Sequence, residues 1–306
     1  ADFNVIHTND VWRVSERYNY PADYALIRDF LLKIKDLKVV QSDVIGPSEL
    51  ARLNLDTPGT GTNGATLMEL KSRQGTVLAS MLIGKRHLRP QNGLEPPGLH
   101  GLFDGRYVLL PDDPDNALLV SDDLAAVSPE PGAWLSHEFF KAENIKYLSL
   151  TSPKAAGSWE ISRTDDSSPW TLSNSKPGEI VDSIEADQIS QILEFPDFDD
   201  VAQKTPGMLA SRGLDKPVVI TAMTDFCVYT IKVGQREPGG DYPITVSVQG
   251  NIPDTDPKAT ELRTKLSKEQ ALASWIYDAG PWIGRLLCDR TAILDRAASG
   301  AQTAEK

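Results

Sequence analysis

The sequence predicts an α+β fold built as a tandem duplication of one module, each copy a mostly antiparallel sheet with helices packed on one face. Three observations predict it. Hairpin-like alternation occurs twice, an Ala-Asp pair opening an amphipathic helix follows each time, and a Leu-Asp-x-Pro turn and a glycine-ended strand then recur in the same order.

The first hairpin is read over Phe3 to Ser15, where apolar and polar residues alternate about a polar turn and Trp12 stands in the second arm. Its repeat is read over Trp159 to Ser173, with Trp170 as the counterpart of Trp12. Next, Pro21-Ala22-Asp23 leads into Leu26, Ile27, Phe30, Leu31 and Ile34, and Glu185-Ala186-Asp187 leads into Ile189, Ile192 and Leu193. Both Asp residues are expected at an N-cap or in the first turn, where free N–H groups and the helix dipole favour a carboxylate. The turns Leu55-Asp56-Thr57-Pro58 and Leu214-Asp215-Lys216-Pro217 follow, then strands ending Ile83-Gly84 and Val233-Gly234. Each copy closes near a Trp followed by an apolar residue, Trp134-Leu135 and Trp282-Ile283.

Spacing supports the order. Trp12 to Leu55 and Trp170 to Leu214 span 43 and 44 residues, and Gly84 to Trp134 and Gly234 to Trp282 span 50 and 48. The turn-to-glycine interval is longer in the first copy, and Gly59-Thr60-Gly61-Thr62-Asn63-Gly64 carries the surplus as a loop insertion. Two to four further strands, a short acidic helix over Ser121 to Val127 and a closing helical segment complete the module. Connections this short favour antiparallel pairing, because parallel strands need a crossover after nearly every strand. The alternating stretch Ile145 to Leu150 reads as a strand without a counterpart in the first copy, which places that counterpart upstream of Ala1. The modules are thus expected at 1–150 and 151–298, with a disordered tail over 299–306.

With 306 residues, 40% hydrophobic and 24% charged, the chain can build cores without metals or a disulfide framework. Its net charge of −12 disfavours nucleic acid and anionic lipid surfaces as partners. Cys227 and Cys288 lack any Cys-x-x-Cys or Cys/His context, and they read as two buried free thiols rather than as a bridge. No apolar run is long enough to span a bilayer, and the start at Ala1, directly on a strand-like segment, reads as a processed or trimmed terminus with a signal peptide or anchor upstream.

The Trp-bearing strand, Pro21-Ala22-Asp23 and its helix, the Leu-Asp-x-Pro turn, Ile83-Gly84 and the strand Tyr107-Val108-Leu109 together resemble the DUF4340 family of bacterial envelope proteins over about residues 2 to 300, as two copies. The resemblance implies a periplasmic or otherwise extracytoplasmic body, a membrane anchor that this chain does not include, and association with ABC-type transporters of the gliding-motility kind. It transfers no catalytic residue and no cofactor.

Candidate chemistry is sparse. Gly59 to Gly64 matches GxGxxG, but a Pro turn precedes it and a strand-like segment follows, whereas a phosphate cradle needs a strand before and a helix after. His7, His87, His100 and His137 lack metal-ligand spacing, and Ser136 lies outside any Gly-x-Ser-x-Gly turn. Asp112, Asp113 and Asp115, and likewise Asp197, Asp199 and Asp200, read as turn and cap residues, without the spacing of a calcium loop. The one basic cluster, Lys85, Arg86, His87 and Arg89, opens a Gly/Pro-rich loop running to Gly105, a place for an anionic ligand or an acidic partner surface. No metal or cofactor is expected. The expected function is a non-enzymatic protein-interaction module docking onto transporter subunits; the alternative is a domain binding or processing cell-wall glycans or peptides through the 85–105 loop.

Overall fold

The computed structural model describes residues 2–59, 64–88, 103–153 and 157–294. Arg89, His100, most of the 85–105 loop, the centre of the GxGxxG match and the 299–306 tail lie outside them. Contacts divide the chain into two compact units: Ala1–Asn4 with Ala22–Trp134, and Val5–Pro21 with Leu135–Lys306. This division differs from the cut at residue 150 read from the repeat, since Val5–Pro21 counts with the second unit and so does the strand around Tyr147.

Strands β1 (Val5–Thr8), β2 (Val11–Val14) and β3 (Tyr20–Pro21) form a small meander, its turns made by Asn9, Asp10, Tyr18 and Asn19 in left-handed conformation. Helix α1 (Tyr24–Asp36) starts where expected: Asp23 caps it by accepting the Leu26 N–H at 3.0 Å, and Lys33 and Lys35 face the negative end of its dipole. After β4 (Val39–Val44), Pro47 occupies the first position of α2 (Pro47–Arg52), and Glu49 reaches back to the Gly46 N–H at 3.1 Å. Strands β5 (Thr66–Lys71), β6 (Val77–Leu88), β7 (Phe103–Leu110) and β8 (Asp113–Val120) follow, and the first unit's sheet runs β4-β8-β7-β6-β5.

The second unit adds β9 (Tyr147–Thr151), β10 (Trp159–Ser162), β11 (Thr171–Leu172), α3 (Ser183–Ile192), β12 (Asp200–Gln203), α4 (Pro206–Ser211), β13 (Val218–Met223), β14 (Cys227–Val233) and β15 (Tyr242–Gly250). It ends with α5 (Ala259–Ala271), β16 (Trp275–Ala279) and α6 (Trp282–Leu286). Its eight-stranded sheet runs β11-β10-β9-β13-β14-β15-β16-β12. Five of those strands, β13-β14-β15-β16-β12, repeat in chain position and neighbour order the β5-β6-β7-β8-β4 sheet of the first unit, and each pairing among these ten strands is antiparallel. The fold is α+β.

The turn and the glycine strand meet identically in both units. Lys85 N–H donates to Leu53 O at 2.8 Å and Gln235 N–H to Arg212 O at 3.0 Å. A side chain on Gly84 would put its Cβ 2.5 Å from Leu53 O, and one on Gly234 would put it 2.2 Å from Arg212 O. Immediately before each turn leucine, Asn54 and Gly213 both take positive φ, which only such residues adopt at low cost. In the first unit Ile34 of α1 and the C-cap residue Leu37 pack with Met81, Ile83, Val108 and Val120 on one sheet face. The second cluster, Leu50 and Leu53 with Leu55, Leu82, Leu109 and Ala117, occupies the opposite face, so α2 does not share the face of α1.

Several expectations are corrected. Trp12 and Trp170 are not equivalent: Trp12 lies partly exposed on β2 against His7 with ring centroids 5.1 Å apart, whereas Trp170 is buried, donates to Asp187 Oδ1 at 2.8 Å and lies under the Arg163 guanidinium at 4.5 Å. The counterpart of Trp12 is Trp159, because Trp12-Arg13-Val14 and Trp159-Glu160-Ile161, each followed by a serine, lie in the middle strands of meanders with the same order, and Val14 and Ile161 are both fully buried. By that order β1 occupies the position of β9, so the counterpart of the 145–150 strand is already on the chain. The second helix is capped by Asp182, which accepts the Ile184 and Glu185 N–H groups. Asp187 lies inside that helix, since burial of Ala186 and Ile189 requires the periodic face to begin before it. Residues 121–127 form no helix: Asp122 and Asp123 accept the N–H groups of Leu124 and Ala125 and so compete with a helical ladder. The closing segments also differ. Trp134 is buried and donates to Ser128 O, while Trp282 is half-buried and donates to Asp197 O.

Candidate functional site

Three of the four basic residues singled out by sequence lie near the end of β6, where it pairs with the start of β7. Lys85 is exposed, and its backbone closes the Leu53 junction. His87 Nδ1 lies 2.6 Å from Asp104 Oδ1, and its ring stands edge-on to Tyr107 at 5.8 Å. Arg86 lies over the Phe103 ring at 5.3 Å and donates to Ala125 O at 3.2 Å. The strand register places Arg106 opposite Arg86, a partner that sequence reasoning missed. Arg106 donates to Gly84 O, Asp123 O and Leu124 O, and burial, followed by the neighbouring Arg86, pulls its guanidinium below the usual range.

Two guanidinium groups thus meet neutral carbonyls, and among the described residues neither forms an ion pair. They hold the 121–127 segment, in which Leu124 is fully buried at φ 47°. At the corresponding place in the second unit Arg236 lies over Tyr242 at 5.8 Å, but Glu237 there pairs with Arg212 at 2.6 Å. The basic character therefore belongs to the first unit.

A second feature of the first unit is strand β4. All six of its residues are exposed, with Val39 at 58%, Val40 at 64% and Val44 at 85%. Its other edge is bound: Ser121 N–H donates to Lys38 O and Ile45 N–H to Asp115 O. Where α1 hands over to β4, an open hollow of about 240 Å³ is lined by Leu32, Lys33, Asp36, Leu37, Ser121 and Asp122, and Lys33 pairs with Asp122 at 3.4 Å. An edge strand with three exposed valines presents free backbone donors and acceptors beside apolar side chains, which is what an added strand needs.

No family model, curated protein or solved structure matches this chain. Its chemistry is therefore read from the residues alone.

In the second unit the polar groups are spent internally. Glu269, 4% exposed on α5, accepts the Lys141 N–H at 2.9 Å and meets Tyr229 Oη at 2.9 Å, while Tyr229 Oη also lies 3.0 Å from Lys141 O. Lys265 Nζ also donates to Lys141 O at 2.8 Å and lies 3.9 Å from Glu269 Oε1; burial raises the Glu269 carboxyl, with the Lys141 N–H, Lys265 and Tyr229 opposing. Arg212 holds Asp278 at 2.5 Å and Glu237 at 2.6 Å, leaving its Nη1 buried without a partner. Burial pushes Asp278 up to about 6, with Glu237 and Asp200 adding to the effect and Arg212 opposing it. Asp200 is in turn bound by Arg17 at 2.6 Å, from the 3-10 turn Ser15–Arg17 that lies against β12. Val201 of β12 is 4% exposed.

The remaining sequence candidates are accounted for locally. His137 meets Asp197 at 2.7 Å and stacks on Phe198. Cys227 and Cys288 are free thiols, half-buried rather than buried, and burial pushes Cys288 up to about 11, away from thiolate chemistry. Gly59 takes a left-handed turn, and a strand, β5, follows the GxGxxG stretch. Among the described residues no three His, Cys, Asp or Glu side chains converge on a point, and no helix is long and apolar enough to cross a membrane.

Proposed function

We propose that this chain is a non-enzymatic, extracytoplasmic protein-interaction module, the soluble part of a membrane-anchored envelope assembly associated with an ABC-type transporter. The observation that carries the interaction reading is β4: three exposed valines on an open edge, at the position where the second unit's β12 is covered. Soluble proteins guard such edges with charge, proline or a covering element, and β4 keeps Asp43 as its one charged side chain. The envelope and transporter assignment rests on the sequence resemblance. The anchored full-length protein, affinity-purified from membranes, should bring transporter subunits with it, and Val40→Lys with Val44→Lys should lose them while keeping the fold. Recovery of no subunit by the parent protein, or undiminished recovery by the double variant, would sink the reading.

A second reading, binding of cell-wall glycans or peptides, is favoured by the Arg86–Arg106 pair beside Phe103, a cationic and aromatic surface suited to a peptide carboxylate. Saturable titration with muropeptides, abolished by Arg86→Ala, would mark it.

A further inference from the structure

The equivalent edges β5 and β13 are used differently. In the second unit, β13 pairs with β9 along five antiparallel positions from Val219↔Thr151 to Met223↔Tyr147, and β9 opens the meander β9-β10-β11. The corresponding meander β1-β2-β3 forms a separate sheet: among the described residues β1 pairs only with β2, and β5 only with β6. Both unused edges are accessible, with Ile6 and Leu67 exposed.

Chain length accounts for the difference. Ten residues, 173–182, separate β11 from α3, but only Ala22 and Asp23 separate β3 from α1. The meander is meanwhile fixed elsewhere in the second unit, by Arg17 on Asp200 and by Tyr20, whose ring lies 4.9 Å from Trp275, 5.7 Å from Phe198 and 6.0 Å from Tyr277. A short hinge beside an unpaired strand edge is the situation in which a second chain supplies the missing pairing.

We infer that β1 of one copy pairs antiparallel with β5 of a second copy, making between chains the joint that β9 and β13 make within one. The template fixes the register. Trp12 corresponds to Trp159 and Gly84 to Gly234, so the meander and sheet pairings place Val5 opposite Leu70, Ile6 opposite Glu69, His7 opposite Met68 and Thr8 opposite Leu67. Val5 and His7 then share a face with Met68 and Leu70, as Leu148 and Leu150 do with Ile220 and Ala222. The joint is head to tail, because the two surfaces differ, and it closes into a ring or extends as a chain. It uses a different edge from β4 and stands whether or not the transporter reading does.

The test uses the full chain. Ile6→Cys and Glu69→Cys variants, purified separately, mixed and gently oxidised, should give a covalent dimer whose disulfide maps to positions 6 and 69, absent from either variant alone. The parent protein should associate with rising concentration in sedimentation, and Leu67→Lys, on an exposed position, should weaken that association by about tenfold or more while melting normally. A parent that stays monomeric, a 6–69 yield no greater than that of a control mixture of Ile6→Cys with Val44→Cys, or closure of the 6–69 bond within one chain of the double variant would each overturn the inference.

Discussion

The sheets of the two units share five strands in one order, yet among the described residues the second is covered at both ends and the first at neither. Beyond β13 lies β9, and against β12 lies the Ser15–Arg17 turn; beyond β5 and β4 no described strand is bonded. The difference teaches that a module can keep its interior while its edges diverge. The interior is fixed by close backbone approach, at Gly84 and Gly234, and by the left-handed residue before each turn leucine. The edges depend on what the flanking chain length permits, and there the copies have separated into one that is finished internally and one left available.

The comparison can be broken most severely at Tyr20, which ties the meander to the second unit. Tyr20→Ala removes a buried ring from contact with Trp275, Phe198 and Tyr277 and should cost about 3–5 kcal/mol in urea unfolding, with proteolysis beginning in residues 5–21. If the two glycines are equivalent, Gly84→Ala and Gly234→Ala should each destabilise their own unit by about 3 kcal/mol, because the new methyl meets a carbonyl oxygen at 2.5 and 2.2 Å. Tolerance at one and not the other would break the equivalence. Tyr229→Phe should cost about 1–2 kcal/mol, since Glu269 and Lys141 O lose a shared hydroxyl, and it should leave the first unit's transition unchanged.

Proton linkage sharpens the contrast further. Asp278 binds its proton more tightly folded, at about 6, than at the ordinary 3.8, so its contribution to stability is full below 3.8 and is lost as the pH rises to about 6. Asp278→Asn should therefore flatten the fall of the second unit's unfolding free energy over that window, read as the difference from the parent protein at each pH. A slope that stays the same would show that Arg212 keeps the carboxylate charged. Val40→Lys, on the bare edge, should change stability by no more than about 0.5 kcal/mol.

How much of this was legible in the sequence follows from which interactions are local. Asp23 as a cap and the strand end at Gly234 follow from rules acting within a few residues and survive in the structure, whereas the strand expected to end at Gly84 runs on as β6 to Leu88, because Arg86 to Leu88 keep pairing with β7 beyond the glycine. The pairing of Trp12 with Trp170 failed because two tryptophans at similar spacing outweighed the Trp-x-aliphatic-Ser pattern that marks the true correspondence with Trp159. Arg106 was invisible because its association with Arg86 depends on cross-strand register, and the Glu269–Tyr229 contact because it joins residues forty apart. The bare state of β4 could not be read either: Val39 and Val40 look like any buried strand, and they are exposed because no element among the described residues covers them.

The attachment of Val5–Pro21 to the second unit bears on how the protein is made. Arg17 and Asp200 are 183 residues apart, so at about 5–20 residues per second a ribosome needs roughly 10 to 40 s to deliver the carboxylate after the arginine. Throughout that interval the segment carries Tyr20 with its aromatic partners Phe198, Trp275 and Tyr277 still untranslated, and the nascent chain offers a hairpin that has not yet met its contacts. A holdase that shelters the early chain should therefore raise the yield more than one that acts after release.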